Sequence, residues 1–553
     1  MRFMKPTAAL ATGVLTLGLA VSSAASASAA PVTAKAASGT VSIAAEQEPD
    51  CLDWISSCAG SSWGAWMVLY NTLPQAYRFV PGKGGAYNYV PTSLLTGEPT
   101  LQTSPKQVVT YKLNPKAVWS DGVQITSADF QYTWDQIVNG TDIYDTTGYD
   151  KVESVGTPDP QTVVVTYSEP YASWKSLFSG GYGLMPSHLL EGKDRDAEMK
   201  DGYSFSGGPW FASWEKGVSI TLTPNPKYWD KQPTIGKVIF KFITDTSAAF
   251  QAFKAGEVSV LYPQPQPDAL LQIKNGLKGS TVKATGDTSN VEALWLNNNA
   301  APFDDINFRK AIAYSIDRDA IVKRLFGVLG VKTAQNSFNP PIVAAYANPK
   351  GFSGYTKNLG QVKAYMTKAG YTKKGGYWTK GGEKASFTFK TTVGNKRRAL
   401  TAQILQAAFK EAGFDMKIQT VEAGDLFGEQ LPSGDYQMAL YAQVATTPDP
   451  GLCVIFCSTN IPSAENDNSG QNWTGTKVAG LDPLLEKVDT EAVASKRIKL
   501  SKQADLLIGK SMTSLPLDPL PNILLYKNSI KGQVQDNAVM GPFARMNYWT
   551  LKG

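Results

Sequence analysis

Residues 386–444 contain the stretch that decides the fold. SFTFKT at 386–391 is followed by LTAQILQAAFKEA at 400–412 and by YQMALYAQV at 436–444. The first and third segments are rich in the aromatic and β-branched residues that favour strands. The middle segment repeats apolar residues at helical spacing and ends at Gly413, which is typical of an amphipathic helix. Strand, helix and strand in this order predict an α/β fold.

The same alternation of strands and helices extends outward in both directions. Thr126 and Asp129 have the spacing of a capping box and predict the start of a further helix. We find no internal repeat and no long linker, so the elements are expected to form compact, interleaved lobes. Strands are predicted at 108–113, 162–167, 219–223 and 237–243, and helices at 130–137, 248–255, 306–315 and 318–326.

The composition excludes several classes of function. The chain has 553 residues, of which 42% are hydrophobic, enough for a large core and two to four domains. It has one histidine, His188, so histidine-rich metal sites are excluded and any Ser-His-Asp triad must use this residue. The net charge is +6 without a dense basic stripe, and therefore implies neither nucleic acid nor an anionic membrane as a partner.

The N-terminus predicts export. Arg2 and Lys5 precede a short apolar run and a Ser/Ala-rich cleavage region, which is the pattern of a secretory signal peptide over residues 1–30. Residues 31–39 predict a flexible leader. The first cysteine is Cys51, too far along to follow the signal as a lipid-anchor site. We therefore expect a periplasmic or extracellular protein that is not lipid-anchored.

The four cysteines fall into two local pairs. In an exported chain they are expected to form disulfides. Local pairing within each couple is favoured over cross-pairing between the couples, and metal binding is disfavoured because no histidine lies near either pair. The couples are Cys51 with Cys58 and Cys453 with Cys457.

A search for catalytic motifs gives one weak match. GSSWG at 60–64 fits the G-x-S-x-G nucleophile elbow of serine hydrolases, and His188 could complete a triad. An elbow requires a hydrophobic strand before the serine, whereas residues 51–58 have the composition of a loop. A secreted serine hydrolase is thus a remote alternative. The sequence predicts no catalytic residue, no metal site and no cofactor.

Motifs spread over residues 42–550 indicate a binding protein. Together they resemble the family 5 extracellular solute-binding proteins, the peptide- and oligopeptide-binding components of ABC importers. The motifs are VTYKLNPKAVWSDG at 109–122, SGGPW at 206–210, NPKYW at 225–229, RKAIAYSIDR at 309–318, GDYQMALY at 434–441 and PDP at 448–450.

The resemblance implies a bilobal, periplasmic-binding-protein-like α/β fold. Ligand would be enclosed between two hinged lobes and delivered to an ABC transporter permease, without catalysis. We expect a monomer with no nucleic-acid partner. The implied organisation is a discontinuous domain I at 40–76, 206–287 and 519–553, an inserted domain II at 77–205, and a second lobe, domain III, at 288–518.

The ligand is where this chain departs from the family. Peptide binders of the family carry a tryptophan and an aspartate at a strand end, and the aspartate pairs with the ammonium group of the peptide. Here Gln443 and Thr446 stand at those positions, and a neutral hydroxyl cannot compensate the desolvation of a buried ammonium. Peptide binding is therefore expected to depend little on a free amine. Asp449 is retained and could be structural.

Both a peptide and an oligosaccharide or other uncharged solute stay open as ligands. Backbone groups of Ala442 and Val444 could pair with an extended peptide. Four tryptophans could stack on either ligand or could belong to the core. The candidate ligand-binding residues are Trp54, Trp63, Trp66, Ala442, Gln443, Val444, Thr446 and Trp473.

Overall fold

A computed structural model describes residues 37–552, except 60–61, 83–86, 264–265, 286–287, 467–469 and 535–536. The predicted signal peptide at 1–30 and residues 31–36 of the predicted leader lie outside the described residues. None of the helices in the described part of the chain combines the length and the apolar character needed to cross a membrane.

A seven-stranded sheet forms the first lobe. Its first strand, Thr40–Ala45, runs parallel to Lys237–Phe242 on one side and to Val260–Leu261 on the other. Val41 and Ile43 are fully buried, because this central strand is covered on both sides. In spatial order the strands are Ser280–Thr285, Asn522–Lys527, Val260–Leu261, Thr40–Ala45, Lys237–Phe242, Ser219–Pro224 and Trp210–Glu215.

A four-stranded antiparallel sheet packs beside it with the helix Ser127–Asn139. The predicted capping box is confirmed: the backbone N–H of Thr126 donates to the Asp129 carboxylate at 2.8 Å. The strands are Thr100–Gln102, Val108–Lys112, Thr162–Tyr167 and Val152–Asp159, in that spatial order. A separate hairpin pairs Tyr77–Pro81 with Tyr87–Pro91.

A five-stranded sheet forms the second lobe and contains all three elements of the predicted βαβ unit, but a further strand follows the helix before Met438–Val444. Ser386–Thr392 lies between two parallel neighbours, Asp415–Val421 and Met438–Val444. The helix Lys396–Ala412 connects Ser386–Thr392 to Asp415–Val421. It ends at Gly413, whose φ of 102° favours glycine. Asn290–Leu296 and Ser514–Asp518 complete the sheet in antiparallel orientation. The strand Asp415–Val421 was not predicted, because most of its side chains are exposed at the sheet edge.

The other predicted helices are confirmed with small shifts at their ends. Asp317 caps the helix Arg318–Phe326 by accepting from the N–H of Ala320 at 2.9 Å. Helices of eight or more residues also span Thr246–Ala255, Pro267–Lys274, Ile306–Ala313, Leu359–Lys368, Asp482–Thr490 and Ala494–Ser511. Shorter α-helices are Ser62–Gly64, Tyr70–Thr72, Ser187–Leu190, Arg195–Met199 and Leu452–Phe456.

Two hydrophobic clusters form the core, and one face of the seven-stranded sheet, including Ala44, Leu261 and Ile523, belongs to the same cluster as the five-stranded sheet. One is centred on the five-stranded sheet and the other spans the seven- and four-stranded sheets. The strands of the seven-stranded sheet fall within the three sequence segments predicted for domain I. The domain boundaries themselves stay a prediction.

Candidate functional site

A cavity of about 800 Å³ lies between the lobes, at the carboxyl ends of parallel strands from both sheets. In the first lobe, residues following Thr40–Ala45, Lys237–Phe242 and Val260–Leu261 reach it. In the second lobe, residues following Ser386–Thr392 and Asp415–Val421 do the same. Parallel strands end at a common sheet edge, which is where α/β proteins bind ligands. The cavity is the candidate binding site.

All eight residues predicted to bind ligand line this cavity, and contact with a ligand stays a prediction for each of them. They are Trp54, Trp63, Trp66, Ala442, Gln443, Val444, Thr446 and Trp473.

The four tryptophans differ in how much of the ring is available. Trp63 and Trp66 are at most 8% exposed and pack edge-on against Tyr262. Trp54 is 4% exposed, and its Nε1 donates to the hydroxyl of Tyr203 at 3.0 Å. These three rings belong mainly to the core. Trp473 is only partly buried and therefore has the largest free ring surface of the four.

The strand Met438–Val444 provides a free backbone edge. One side pairs with Asn290–Leu296 along its whole length. On the other side, pairing with Ser386–Thr392 stops at Leu440. Residues 441–444 thus extend past their parallel neighbour into the cavity wall. An unpaired strand edge can add an extended chain through backbone hydrogen bonds.

The cavity lining is acidic, a property that the sequence analysis missed. Seven carboxylates and two cationic side chains, Lys216 and Arg398, contribute to it. Such clustering of one charge sign favours a ligand of the opposite sign. Local sequence gives no signal for it, because the acids come from separate segments. The carboxylates belong to Glu46, Glu48, Asp50, Asp145, Glu422, Asp449 and Asp489.

Asp50 lies where the two lobes meet. Burial and the neighbouring Glu48 raise the pKa of Asp50 to about 6. One carboxylate oxygen of Asp50 is 3.1 Å from the place that a Cβ would occupy at Gly424 in the second lobe. A glycine there allows this close approach. Asp50 is thus an exposed carboxylate at the cavity wall, close to the second lobe at Gly424.

Asp449 has a structural role in a cross-lobe cluster. Its Oδ1 accepts from Arg497 at 2.9 Å, and its Oδ2 accepts from the hydroxyl of Tyr89. Arg497 also donates to Ser173 Oγ, which comes from the segment after the four-stranded sheet. Burial raises the pKa of Asp489, beside this cluster, to about 7. We call Tyr89, Ser173, Asp449, Asp489 and Arg497 the interlobe cluster.

The arrangement of a serine hydrolase does not form around Ser62. His188 Nε2 lies 2.8 Å from the Asp121 carboxylate and is absent from the cavity lining, to which Ser62 contributes. Residues Ser57–Ala59 form a short 3₁₀ helix instead of the strand that an elbow requires. Gly60 and Ser61 of the motif lie outside the described residues.

Each cysteine couple has disulfide geometry, in agreement with local pairing and not with cross-pairing. The Cα–Cα distance is 5.8 Å for Cys51 and Cys58 and 4.7 Å for Cys453 and Cys457. Neighbours of both couples line the cavity. No group of three or more potential metal ligands occurs among the described residues.

Known proteins resemble this chain over parts of both lobes. Residues 95–460 match the family described as bacterial extracellular solute-binding proteins, family 5 Middle. The oligopeptide-binding protein OppA of Mycobacterium bovis is 26% identical over 485 residues, covering 84% of this chain and 77% of that protein.

Two solved structures are similar in fold. The periplasmic EDTA-binding protein EppA has a TM-score of 0.81 at 25% identity and covers 94% of this chain and 97% of its own. The oligopeptide-binding protein AppA from Bacillus subtilis, in complex with a nonapeptide, has a TM-score of 0.81 at 19% identity and covers 94% of this chain and 100% of its own.

Proposed function

The chain belongs to the bacterial extracellular solute-binding proteins of family 5, and from this membership we propose that it captures a peptide or oligopeptide between its lobes. The closed protein then delivers the ligand to the permease of an ABC importer. Proteins of this family are periplasmic or extracellular. Residues 1–30 would direct the export, and the mature protein would act as a soluble monomer without a lipid anchor.

The observation that carries this proposal is the free edge of residues 441–444 in the wall of a cavity of about 800 Å³. A peptide can pair with such an edge regardless of its side chains. The size is within the range of enclosed small-ligand sites. The peptide ligands named for OppA and AppA support the same class.

The acidic lining adds a preference for a ligand with a positive charge. The expectation that binding depends little on a free amine rests on Thr446, whereas Asp50 places a carboxylate in the cavity wall. We propose that the ammonium group of a peptide binds at Asp50, where its charge would relieve the repulsion from Glu48.

Two signatures of an ammonium at Asp50 are expected in calorimetry. Acetylating the N-terminus of a peptide that binds should weaken it more than tenfold, or about 1.4 kcal/mol. Affinity for the free peptide should rise with pH through about 6, because Asp50 must lose its proton to bind an ammonium. The acetylated peptide should lack this slope.

Matched variants test the assignment to Asp50. Asp50→Asn should remove the pH slope, whereas Glu422→Gln, which deletes a charge elsewhere in the lining, should keep it. Equal affinities of free and acetylated peptide at pH 7 would contradict the role of Asp50 and restore the expectation drawn from Thr446.

An oligosaccharide is a second candidate ligand, favoured by the partly exposed ring of Trp473 and the neutral side chains of Gln443 and Thr446. Native mass spectrometry of protein incubated with a random pentapeptide library and an oligosaccharide mixture separates the two. Retention of pentapeptides supports the first proposal. Retention of sugars alone would replace it with the second.

We further propose that the protein is not an enzyme. Ser62→Ala should leave ligand affinity within twofold of the wild type, and a fluorophosphonate probe should not label Ser62. The reason is that His188 is hydrogen-bonded to Asp121 and does not contribute to the cavity. Covalent labelling at Ser62, lost in the alanine variant, would favour the hydrolase.

A further inference from the structure

A second cavity of about 120 Å³ lies apart from the interlobe cleft and shares no lining residue with it. Five parts of the chain line it. Residues 70–81 include the first strand of the hairpin, residues 228–230 are the last two residues of the NPKYW motif and the aspartate after it, and residues 537–548 come from the C-terminal segment. Residues 92–94 and 207–209 complete the lining. The cavity thus joins segments that are far apart in sequence.

Two arginines line this second cavity. Arg78 is in the strand Tyr77–Pro81, where Tyr77 and Phe79 point into the core and Arg78 points the other way. Arg545 precedes the short helix Met546–Tyr548, and its guanidinium is 4.2 Å from the centre of the Tyr548 ring. Both side chains are partly buried.

Neither arginine forms an ion pair within the part of the chain that the structure describes. Among the described residues, no carboxylate oxygen lies within 4.0 Å of either guanidinium. The Nε atoms of Arg78 and Arg545 are both buried, and neither has a hydrogen-bond acceptor among the residues that the structure describes. A buried guanidinium N–H without an acceptor is costly, and two such groups in one cavity are unusual in a folded protein.

The local electrostatics agree with this geometry. Burial and the charge of Arg545 lower the pKa of Arg78, and the attraction of Asp230 does not offset them. Asp230 lines the cavity but is exposed. Like charges held together at a partly desolvated site destabilise the protein unless an anion lies between them.

We propose that this second cavity is an oxyanion site in which Arg78 and Arg545 together bind a phosphate or sulfate group. The planar guanidinium presents a fork of N–H donors that matches two oxygens of such a group. The volume is sufficient, since about 10–15 Å³ already admits one water molecule. Tyr228 and Tyr548 also line the cavity and can donate neutral hydroxyl hydrogen bonds.

The oxyanion could be a free ion or the phosphate group of a larger molecule. Both sources share the chemistry that the two arginines recognise. Bound there, the anion would hold the hairpin, residues 228–230 and the C-terminal segment together, and would stabilise the folded protein by mass action.

The test compares potassium phosphate with potassium chloride at equal ionic strength, by thermal unfolding and by calorimetry. Phosphate and sulfate should raise the melting temperature of the wild type, whereas chloride should not. Glycerol 3-phosphate distinguishes the sources: tighter binding than inorganic phosphate indicates a phosphate group of a larger molecule, and equal binding a free ion.

Variants assign the effect to the two arginines. Arg78→Met and Arg545→Met should each weaken phosphate binding more than tenfold while melting in chloride at or above the wild-type temperature. Arg78→Lys keeps the charge, loses the fork, and should bind with intermediate affinity. Lys227→Met removes an exposed charge nearby that does not line the cavity, and should bind like the wild type.

An unchanged phosphate effect in the two methionine variants would place the ion elsewhere and overturn the proposal. Absence of phosphate binding to the wild type by calorimetry would also overturn it. If a methionine variant failed to fold, Arg78→Lys and the wild-type titration would still decide.

Discussion

Replacing Glu292 with glutamine is expected to destabilise the second lobe by about 3–5 kcal/mol, the cost of removing one partner of a buried ion pair. Glu292 is fully buried in the strand Asn290–Leu296, 3.2 Å from Arg397 and 2.8 Å from Arg398. Burial alone would raise the pKa of Glu292, but the two guanidiniums hold it below its ordinary value. Without this carboxylate, both guanidiniums lose the ion pair that they form with Glu292.

Asp518 provides a matched control on the neighbouring strand. It pairs in register with Glu292, and burial raises its pKa to about 8. Both of its carboxyl oxygens lack a hydrogen-bond partner among the described residues. Asp518 is therefore mostly protonated at pH 7, and Asp518→Asn, which has the same shape, should change stability by less than about 1 kcal/mol.

Urea unfolding, followed by tryptophan fluorescence, measures both variants, and the buried Trp295 in the strand of Glu292 contributes to that signal. Because the folded state holds the Asp518 proton more tightly than the unfolded state, its contribution to stability should fall as pH rises from about 4 to about 8. Asp518→Asn should remove that part of the pH dependence. Equal destabilisation by the two variants would contradict the assignment of an ionised Glu292 and a protonated Asp518.

The second large effect is expected from Arg497→Met, which should open the lobes and weaken ligand binding at least tenfold. Arg497 connects Asp449 of the second lobe to Ser173 on the other side of the cleft. Losing it leaves the partly buried Asp449 without its cation. If the closed state becomes tenfold rarer, the apparent affinity falls by the same factor.

Small-angle X-ray scattering of the ligand-free protein provides a readout that needs no ligand. The radius of gyration should increase in Arg497→Met and stay at the wild-type value in Lys496→Met, which changes an exposed neighbour on the same helix. Affinity for the random pentapeptide library should follow the same order. A lower melting temperature with unchanged scattering and affinity would mean that Arg497 only stabilises the second lobe.

The sequence predicted those helices and strands whose ends are determined by neighbouring residues, such as a capping side chain or a terminating glycine. The helix Arg318–Phe326 was predicted to the residue because Asp317 caps it and Gly327 follows it. The buried charges of Glu292, Arg397 and Arg398 were not predicted, because charged residues are usually exposed and their pairing joins positions about 106 residues apart.

In the candidate site, too, the part formed by one continuous segment was predicted and the part formed by distant segments was not. The strand end at Ala442 to Thr446 was found through its motif, whereas the acidic lining arises from loops that meet only after the lobes have packed. Asp50 directly precedes Cys51 of the first disulfide, yet a carboxylate in a loop gives no sign that its pKa will be raised. Burial, and with it a raised pKa, is a property of tertiary structure.

The strand Asn522–Lys527 determines the order in which the protein can fold. It lies inside the seven-stranded sheet, between Ser280–Thr285 and Val260–Leu261, so the first lobe stays incomplete until residues 522–527 have been made. The second sheet draws all its strands from Asn290 to Asp518 and can assemble from one continuous segment. A growing chain can therefore complete the sheet of its second lobe before that of its first.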